Sequence, residues 1–351
     1  MAKKTYIQTW GEYGLARAAA SSMDAFPIDA NLRTAAWIGR VVDRLDRKHR
    51  GRGQTHIRQC FPEWSDEKVK RCHEASIEHL VQLALEVVQT PRIVTPGSWH
   101  RTVSIANLGP ALELMNRRAP CLMVTGHLGN WELLGHVMAL LGYPLNAVSR
   151  PLDNKALNRW MVDSRLKRGL KLIVKWGAVE EINEALEQGE PVSFLADQNA
   201  GEKGVFVPFF GRLGSTYKSI AILAIRKKLP IVCGCAHRTG PGFKYELNVQ
   251  DVIQPHEWED KDDAIFYVCA RYVRAIENMV RRRPAQYFWM HRRWKSRPRW
   301  EKQDKPLPES VQEKLRSLPW MTEGEMGRIL EWTERDRAAL HGKRRREKER
   351  E

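Results

Sequence analysis

The chain reads as an α/β protein, with a mixed, mostly parallel central sheet flanked by helices. A helical region at 1–100 precedes the sheet core at 101–300, and a charged helical extension at 301–351 follows it. Three observations predict this layout. The first hundred residues carry only helical periodicity, and from about residue 119 short apolar runs alternate with amphipathic segments. Such alternation fits a sheet covered on both faces, with functional loops at the strand ends. Beyond Trp300 the composition turns polar and charged. With 351 residues, 42% of them hydrophobic, the chain is long enough to bury a large core.

At the N-terminus Lys3 and Lys4 precede a modestly apolar stretch, 13–26, which Arg17, Ser21, Ser22 and Asp24 interrupt. It falls short of the roughly 20 apolar residues of a spanning helix and offers no clean signal-peptide core. Leu32, Ala35, Ala36, Ile38, Val41, Val42 and Leu45 then form a helical stripe with arginines between them. That pattern suits a helix packed on the core or one lying in a membrane interface, and the core placement is the expectation. Gly51-Arg52-Gly53 reads as a break. Ser65 caps a long helix that runs through Val88, with Ile77, Leu80, Val81, Ala84, Leu85 and Val88 on its buried face. Strands are expected at 121–124, 145–148, 171–174, 192–196, 231–236 and 243–249, and helices at 131–141, 154–168, 178–188, 216–228 and 262–282.

In the extension, 302–308 is a proline-bearing linker. Ser310 with Glu313 and Thr322 with Glu325 offer capping boxes, the second for a helix over 326–340. The mixed charges of 343–351 suit a solvated tail. The net charge of +16 implies an acidic partner: nucleic acid, an anionic membrane, a phosphorylated substrate or an acidic carrier protein. Six cysteines without CxxC spacing argue against a disulfide scaffold or zinc module, and Cys233 and Cys235 read as small core residues.

The chemistry concentrates in Thr125-Gly126-His127-Leu128-Gly129-Asn130-Trp131-Glu132, a glycine-bracketed turn between the first core strand and its helix. Five residues along a continuous helix rotate by about 140°, so His127 and Glu132 meet only if His127 sits on the turn and Glu132 in the first helical turn. Asn130 as N-cap starts the helix where that geometry needs it, and the positive helix end favours a carboxylate there. A structural histidine and a metal ligand are the competing readings of His127. Glu132 and His136 share a helix face, but the pattern is not HExxH and no further ligand cluster is evident, so no metal is expected.

These residues resemble the HxxxxE box of the bacterial lipid A biosynthesis (lauroyl/myristoyl) acyltransferases, a branch of the HxxxxD/E glycerolipid acyltransferase superfamily. Further blocks fit in order: Ser149-Arg150-Pro151-Leu152-Asp153-Asn154, Arg165 with Gly169, Asp197-Gln198, and Val205-Phe206-Val207-Pro208-Phe209-Phe210-Gly211 with Thr216. Arg238 and Tyr287-Phe288-Trp289-Met290-His291-Arg292-Arg293-Trp294-Lys295 complete a match over roughly 30–298. The resemblance implies a glycerolipid-acyltransferase-like fold and transfer of a fatty acyl group from an acyl carrier protein or coenzyme A thioester to a hydroxyl of a lipid A precursor. No cofactor beyond that co-substrate is implied. The expected location is the cytoplasmic face of the inner membrane, peripheral or monotopic, on an anionic surface. Family members commonly begin with a membrane-spanning helix; this N-terminus is too polar to be a convincing one.

Acyl transfer to a hydroxyl requires its proton to be removed during attack, a task for an imidazole. His127 is therefore the expected general base and Glu132 its orienting partner. No Ser or Cys adjoins the histidine, which favours direct transfer over an acyl-enzyme. Backbone N–H groups at 129–131, or an arginine, are candidate oxyanion donors. Arg150, Arg165, Asp197, Gln198 and Asn130 are the expected substrate-binding residues, the arginines holding phosphate or polarising the thioester carbonyl. Phe206, Phe209 and Phe210 suit an acyl channel or a core. The arginine- and aromatic-rich segment 281–300 suits RNA or a phospholipid interface. A different lipid acceptor is the nearer alternative. A basic nucleic-acid-binding protein without catalysis is the remote one, and no RNP-like or helix-turn-helix pattern supports it.

Overall fold

The computed structural model describes residues 6–143, 145–167, 169–175 and 177–348. Four helices come first: α1 (Tyr6–Met23), α2 (Ile28–Leu45), α3 (Arg47–Cys60) and α4 (Asp66–Ile93). Then follow β1 (Val103–Ala106), α5 (Gly109–Asn116), β2 (Leu122–Thr125), α6 (Trp131–Leu140), β3 (Asn146–Ser149), α7 (Lys155–Leu166), β4 (Lys171–Val174), α8 (Val179–Glu187) and β5 (Val192–Leu195). The hairpin β6 (Val205–Phe209) and β7 (Arg212–Thr216) precedes α9 (Lys218–Lys227), β8 (Ile231–Arg238), β9 (Tyr245–Ile253) and α10 (Ala264–Arg282). The chain ends in α11 (Arg299–Lys302), α12 (Glu309–Arg316) and α13 (Glu323–Lys348). It divides into two compact units: Met1–Leu195, Val232–Val252 and Met279–Met290 in one, and Ala196–Ile231, Ile253–Asn278 and His291–Glu351 in the other.

The first unit is built on a seven-stranded sheet of order β1-β9-β8-β2-β5-β3-β4. β1 runs parallel to β9, β2 to β5, and β3 to both β5 and β4. The mixed, mostly parallel α/β reading is thus the observed architecture, and each expected core strand lies within a few residues of an observed one. Central strands of such a sheet are covered on both faces, which is why Leu122-Met123-Val124 and Ile231 to Ala236 are near-continuous buried runs and not alternating ones. Leu133, Val137 and Met138 of α6 pack into the same core as Met123, Val232 and Leu247. Cys233 and Cys235 of β8 are buried and outside any disulfide, the core role expected of them.

The helical N-terminal region is observed as α1 to α4, and Ser65 caps α4 by accepting from Lys68 N at 3.3 Å. No described helix is long and apolar enough to cross a membrane. The expected break at Gly51-Arg52-Gly53 is absent: α3 runs through both glycines, and the chain turns at Asp46, whose side chain accepts from His49 N. Gly53 serves packing, since a Cβ there would overlap the His73 ring. β1 and α5 carry too few residues to show a period and were not expected from the sequence.

In the second unit β6 and β7 pair antiparallel around Phe210 and Gly211, both at positive φ (53° and 70°), a turn the sequence reading passed over. Phe209 and Phe210 are buried, and the Phe210 N–H donates to Glu277 at 2.7 Å. Arg293 is also buried: its guanidinium donates to the Gln198 carbonyl at 3.3 Å, the Ser215 carbonyl and Thr216 Oγ1 at 2.7 Å. Arg297 forks onto Glu301 with two bonds of 2.7 Å. These two arginines of the 281–300 segment are internal ties, which corrects the RNA-or-lipid surface reading for them alone; Arg281, Arg282, Arg283, Arg292, Lys295 and Arg299 are exposed. Composition shows that basic and aromatic residues interleave; it does not show which way they point. The extension is packed as well, through buried Leu307, Leu315, Leu318, Met326 and Ile329. Thr322 caps α13, accepting from Glu325 N at 3.1 Å, whereas α12 starts one residue before Ser310 with no side-chain cap. The described helix continues to Lys348, and 349–351 lie outside the described residues.

Candidate active site

The turn after β2 is fixed by backbone bonds on both sides. Gly129 N donates to the Gln286 carbonyl at 3.0 Å and Asn130 N to the Ala236 carbonyl at 2.8 Å, while His127 O accepts from Phe288 N at 3.0 Å. Gly129 has φ +57°, and a Cβ on it would lie 2.9 Å from the Ala236 carbonyl carbon and nearer still to its oxygen. Glycine is required there by both conformation and space. Asn130 is fully buried and caps α6, its Oδ1 accepting from Leu133 N at 2.8 Å. His127 is thereby held on the turn and Glu132 in the first turn of the helix, the arrangement that the spacing asks for.

Half-buried His127 lies edge-on to Trp131, ring centroids 5.2 Å apart, and 6.3 Å from Phe288. Glu132 is buried, and Arg165 from the end of α7 grips its carboxylate with both arms: Nε donates to Oε2 at 3.0 Å and Nη2 to Oε1. This fork is the strong form of a carboxylate pair. Sequence spacing paired Glu132 with His127, and the family resemblance assigned Arg165 to substrate; the Glu132–Arg165 contact, across 33 positions, left no local signal. Arg150 follows β3, which runs parallel to β2 by way of β5, so Arg150 and His127 leave the sheet at the same edge. It is exposed and bonds Asp153 at 3.2 Å. Asp197 and Gln198 belong to the second unit, where Asp197 is buried. His136 donates Nε2–H to the Val94 carbonyl at 2.8 Å, and no metal-holding cluster occurs among the described residues.

An apolar cavity opens beside the pair. It has about 910 Å³ of empty space counting its mouth, of which about 120 Å³ admits the centre of a water molecule, so it is narrow. Trp131, Glu132 and Arg165 share its wall with Leu134, Ala147, Leu172 and Val232. Its lining is that of a small-molecule site: apolar, with a few polar groups at one place.

Beneath the turn lies a buried polar network that sequence reasoning missed. Glu86 of α4 is fully buried and accepts from Asn130 Nδ2 at 2.9 Å, Arg238 Nη2 at 2.6 Å and Tyr245 OH at 2.5 Å. Burial pushes its carboxyl up, against the opposing pull of Arg238. His79 donates Nε2–H to the Gly129 carbonyl at 3.0 Å, and burial, helped by the Arg238 charge, lowers its pKa to about 3, which keeps the ring neutral. Glu86 and His79, seven apart on α4, share a helix face with the core residues and offered no sign of polar partners.

Residues 2–296 match the family model described as bacterial lipid A biosynthesis acyltransferase. The chain belongs to that family. This family member is 28% identical over 269 residues to the lipid A biosynthesis palmitoleoyltransferase of Escherichia coli K12, covering 74% of this chain and 83% of that protein. It is 23% identical over 281 residues to the lauroyltransferase of the same strain, covering 78% and 87%. A lipid A biosynthesis acyltransferase of Haemophilus influenzae is 20% identical over 256 residues, covering 72% and 77%. The resemblance carried by the HxxxxE box is thus family membership, and it makes the protein an O-acyltransferase of lipid A biosynthesis type.

Proposed function

We propose that the protein transfers a fatty acyl group directly from an acyl carrier protein or coenzyme A thioester to a hydroxyl of a lipid A precursor or related glycolipid. The observation that carries this reading is His127 lying against Trp131, a wall of the apolar cavity that the Glu132–Arg165 pair also lines. The acyl chain occupies the cavity and the thioester carbonyl sits by Arg165. His127 takes the acceptor hydroxyl proton as the oxygen attacks the carbonyl carbon. The tetrahedral intermediate collapses with cleavage of the C–S bond, and the leaving sulfur takes the proton from the imidazolium. The Gly129 and Asn130 N–H groups are engaged by carbonyls, and this reading uses Arg165, held in place by Glu132, as the oxyanion donor. Glu132 acts through Arg165 and by its charge beside the histidine; Asn130 fixes the turn; Arg150, at the same sheet edge, holds a phosphate of the acceptor. The work is done at the cytoplasmic face of the inner membrane, where a chain of net charge +16 meets anionic lipid.

The test is His127→Ala in purified full-length protein, assayed for acyl transfer from each thioester to a detergent-dispersed lipid A precursor. Transfer should be lost while the far-UV circular dichroism is unchanged; full activity in the variant would sink the mechanism. Lipid mass spectrometry of a host with and without the gene identifies the acceptor, by a lipid A species short of one secondary acyl chain or by a shift in another lipid.

A further inference from the structure

Among the described residues, eight of the thirteen exposed large apolar side chains lie between Tyr6 and Leu45, so exposure of this kind is concentrated at one end of the chain. α2 carries the densest part of it. One face of α2 is buried through Leu32, Ala35, Gly39 and Asp43, and a Cβ on Gly39 would stand 2.7 Å from Glu78 Cα, so this face is pressed against α4. At 100° per residue Trp37, Val41 and Leu45 fall on the opposite face, with the exposed Ile38 and Val42 along its flank. Trp37 is 60% exposed and Leu45 79%. A packed helix ordinarily turns charge outward; this one turns a largely apolar stripe outward.

The chemistry around that outer stripe says what covers it. Arg33 and Arg44 stand along one edge of the stripe, exposed, and Arg47 and Lys48 continue the exposed positive charge just past Leu45. The exposed carboxylate nearby, Asp46, is already engaged by His49 at 2.6 Å. On the same edge opens a groove of about 600 Å³, floored by Ile28, Leu32 and Phe243 and flanked by Arg33 and Lys244, with Asp29 also at its rim. An apolar stripe bearing a tryptophan and edged by arginine and lysine is the pattern of a helix lying in the headgroup–acyl boundary of a membrane.

We propose that the outer face of α2 rests in the surface of a bilayer rich in anionic lipid, with Trp37, Ile38, Val42 and Leu45 among the acyl chains and Arg33, Arg44, Arg47 and Lys48 against the headgroups. The inference rests on the lipid-acceptor reading above for its biological sense, and it names the surface that holds an enzyme without a described spanning helix at its substrate.

The test is co-sedimentation of the full chain with vesicles of phosphatidylcholine alone and of phosphatidylcholine mixed with phosphatidylglycerol. Wild type should partition onto the mixed vesicles, less so at high salt. Trp37→Glu with Leu45→Glu should weaken partition by about tenfold or more. The milder pair Trp37→Ser with Leu45→Ser should lie between, so a folding defect in the charged variant does not decide the outcome. Both pairs should keep wild-type acyl transfer to a detergent-dispersed acceptor, which separates this proposal from the enzymatic one: absence of transfer with intact vesicle binding defeats only the latter. Undiminished vesicle binding by both variants overturns the surface assignment. So does a wild-type chain that ignores vesicles and instead dimerises through this face, losing self-association in the same variants.

Discussion

Two glycines bracket α6 and differ in one respect that experiment can isolate. Gly129, before the helix, has φ +57° and no room for a Cβ against the Ala236 carbonyl; Gly142, after it, has φ +87° and nothing within 4 Å of the same position. Gly142→Ala therefore costs only the left-handed conformation, about 1–2 kcal/mol. Gly129→Ala costs that plus displacement of a backbone carbonyl that also accepts from Asn130 N, a further 1–3 kcal/mol or so. Urea unfolding of the two full-length variants, followed by circular dichroism, should place Gly129→Ala about 1–3 kcal/mol below Gly142→Ala. Because a shift near 1 Å at a reacting group costs on the order of 100-fold, Gly129→Ala should also lose about that factor in transfer rate while Gly142→Ala keeps most of it. A Gly129→Ala midpoint equal to or above that of Gly142→Ala would refute the account of the turn.

Other outcomes follow from the same geometry. Arg165→Lys keeps the charge and loses the fork onto Glu132, so kcat should fall about tenfold or more with little change in KM for the acceptor; steady-state kinetics showing an unchanged kcat would remove Arg165 from the chemistry. His79 and His237 are held neutral by burial, with pKa lowered to about 3 and about 4 from 6.5. The unfolded chain thus binds protons that the folded one refuses, and stability is lost as pH falls below 6.5 toward those values. At pH 5, His79 alone should cost roughly 2 kcal/mol relative to pH 7, a loss that His79→Gln removes; parallel pH profiles for wild type and variant would count against the assignment. Ala147→Leu adds bulk to the cavity wall, so shorter acyl donors should gain over longer ones by about fourfold per excluded methylene in a donor competition; an unaltered preference would place the chain elsewhere.

Much of the site was legible in sequence because its parts are local. Asn130, Glu132 and His127 lie within six positions, and turn, cap and first helical turn follow from spacing and residue type alone. Arg150 was named from the family block Ser149 to Asn154, and the structure puts it at the edge to which the parallel strands deliver their following residues. What could not be read were contacts whose partners lie far apart along the chain. Arg165 on Glu132, Glu86 beneath Asn130, and His79 on Gly129 O each depend on which helix face meets which strand. The same limit explains the misreadings: Gly51 and Gly53 look like a break until His73 is seen against one of them, and Arg293 and Arg297 look like surface charge until their internal acceptors appear.

The sequence by itself determined the α/β class, the helical first hundred residues and the HxxxxE turn, because these rest on periodicity, capping and short spacing, which act within a few residues; the family came from the resemblance of its blocks, in order, along the chain. Only the tertiary structure decided that Glu132 is gripped by Arg165, that a buried carboxylate on α4 supports the turn, and that α2 leaves a largely apolar stripe exposed. Each of these is a matter of orientation. A side chain's burial and partners are set by the packing of whole elements, and the one-dimensional order of residues does not encode which face will be left over.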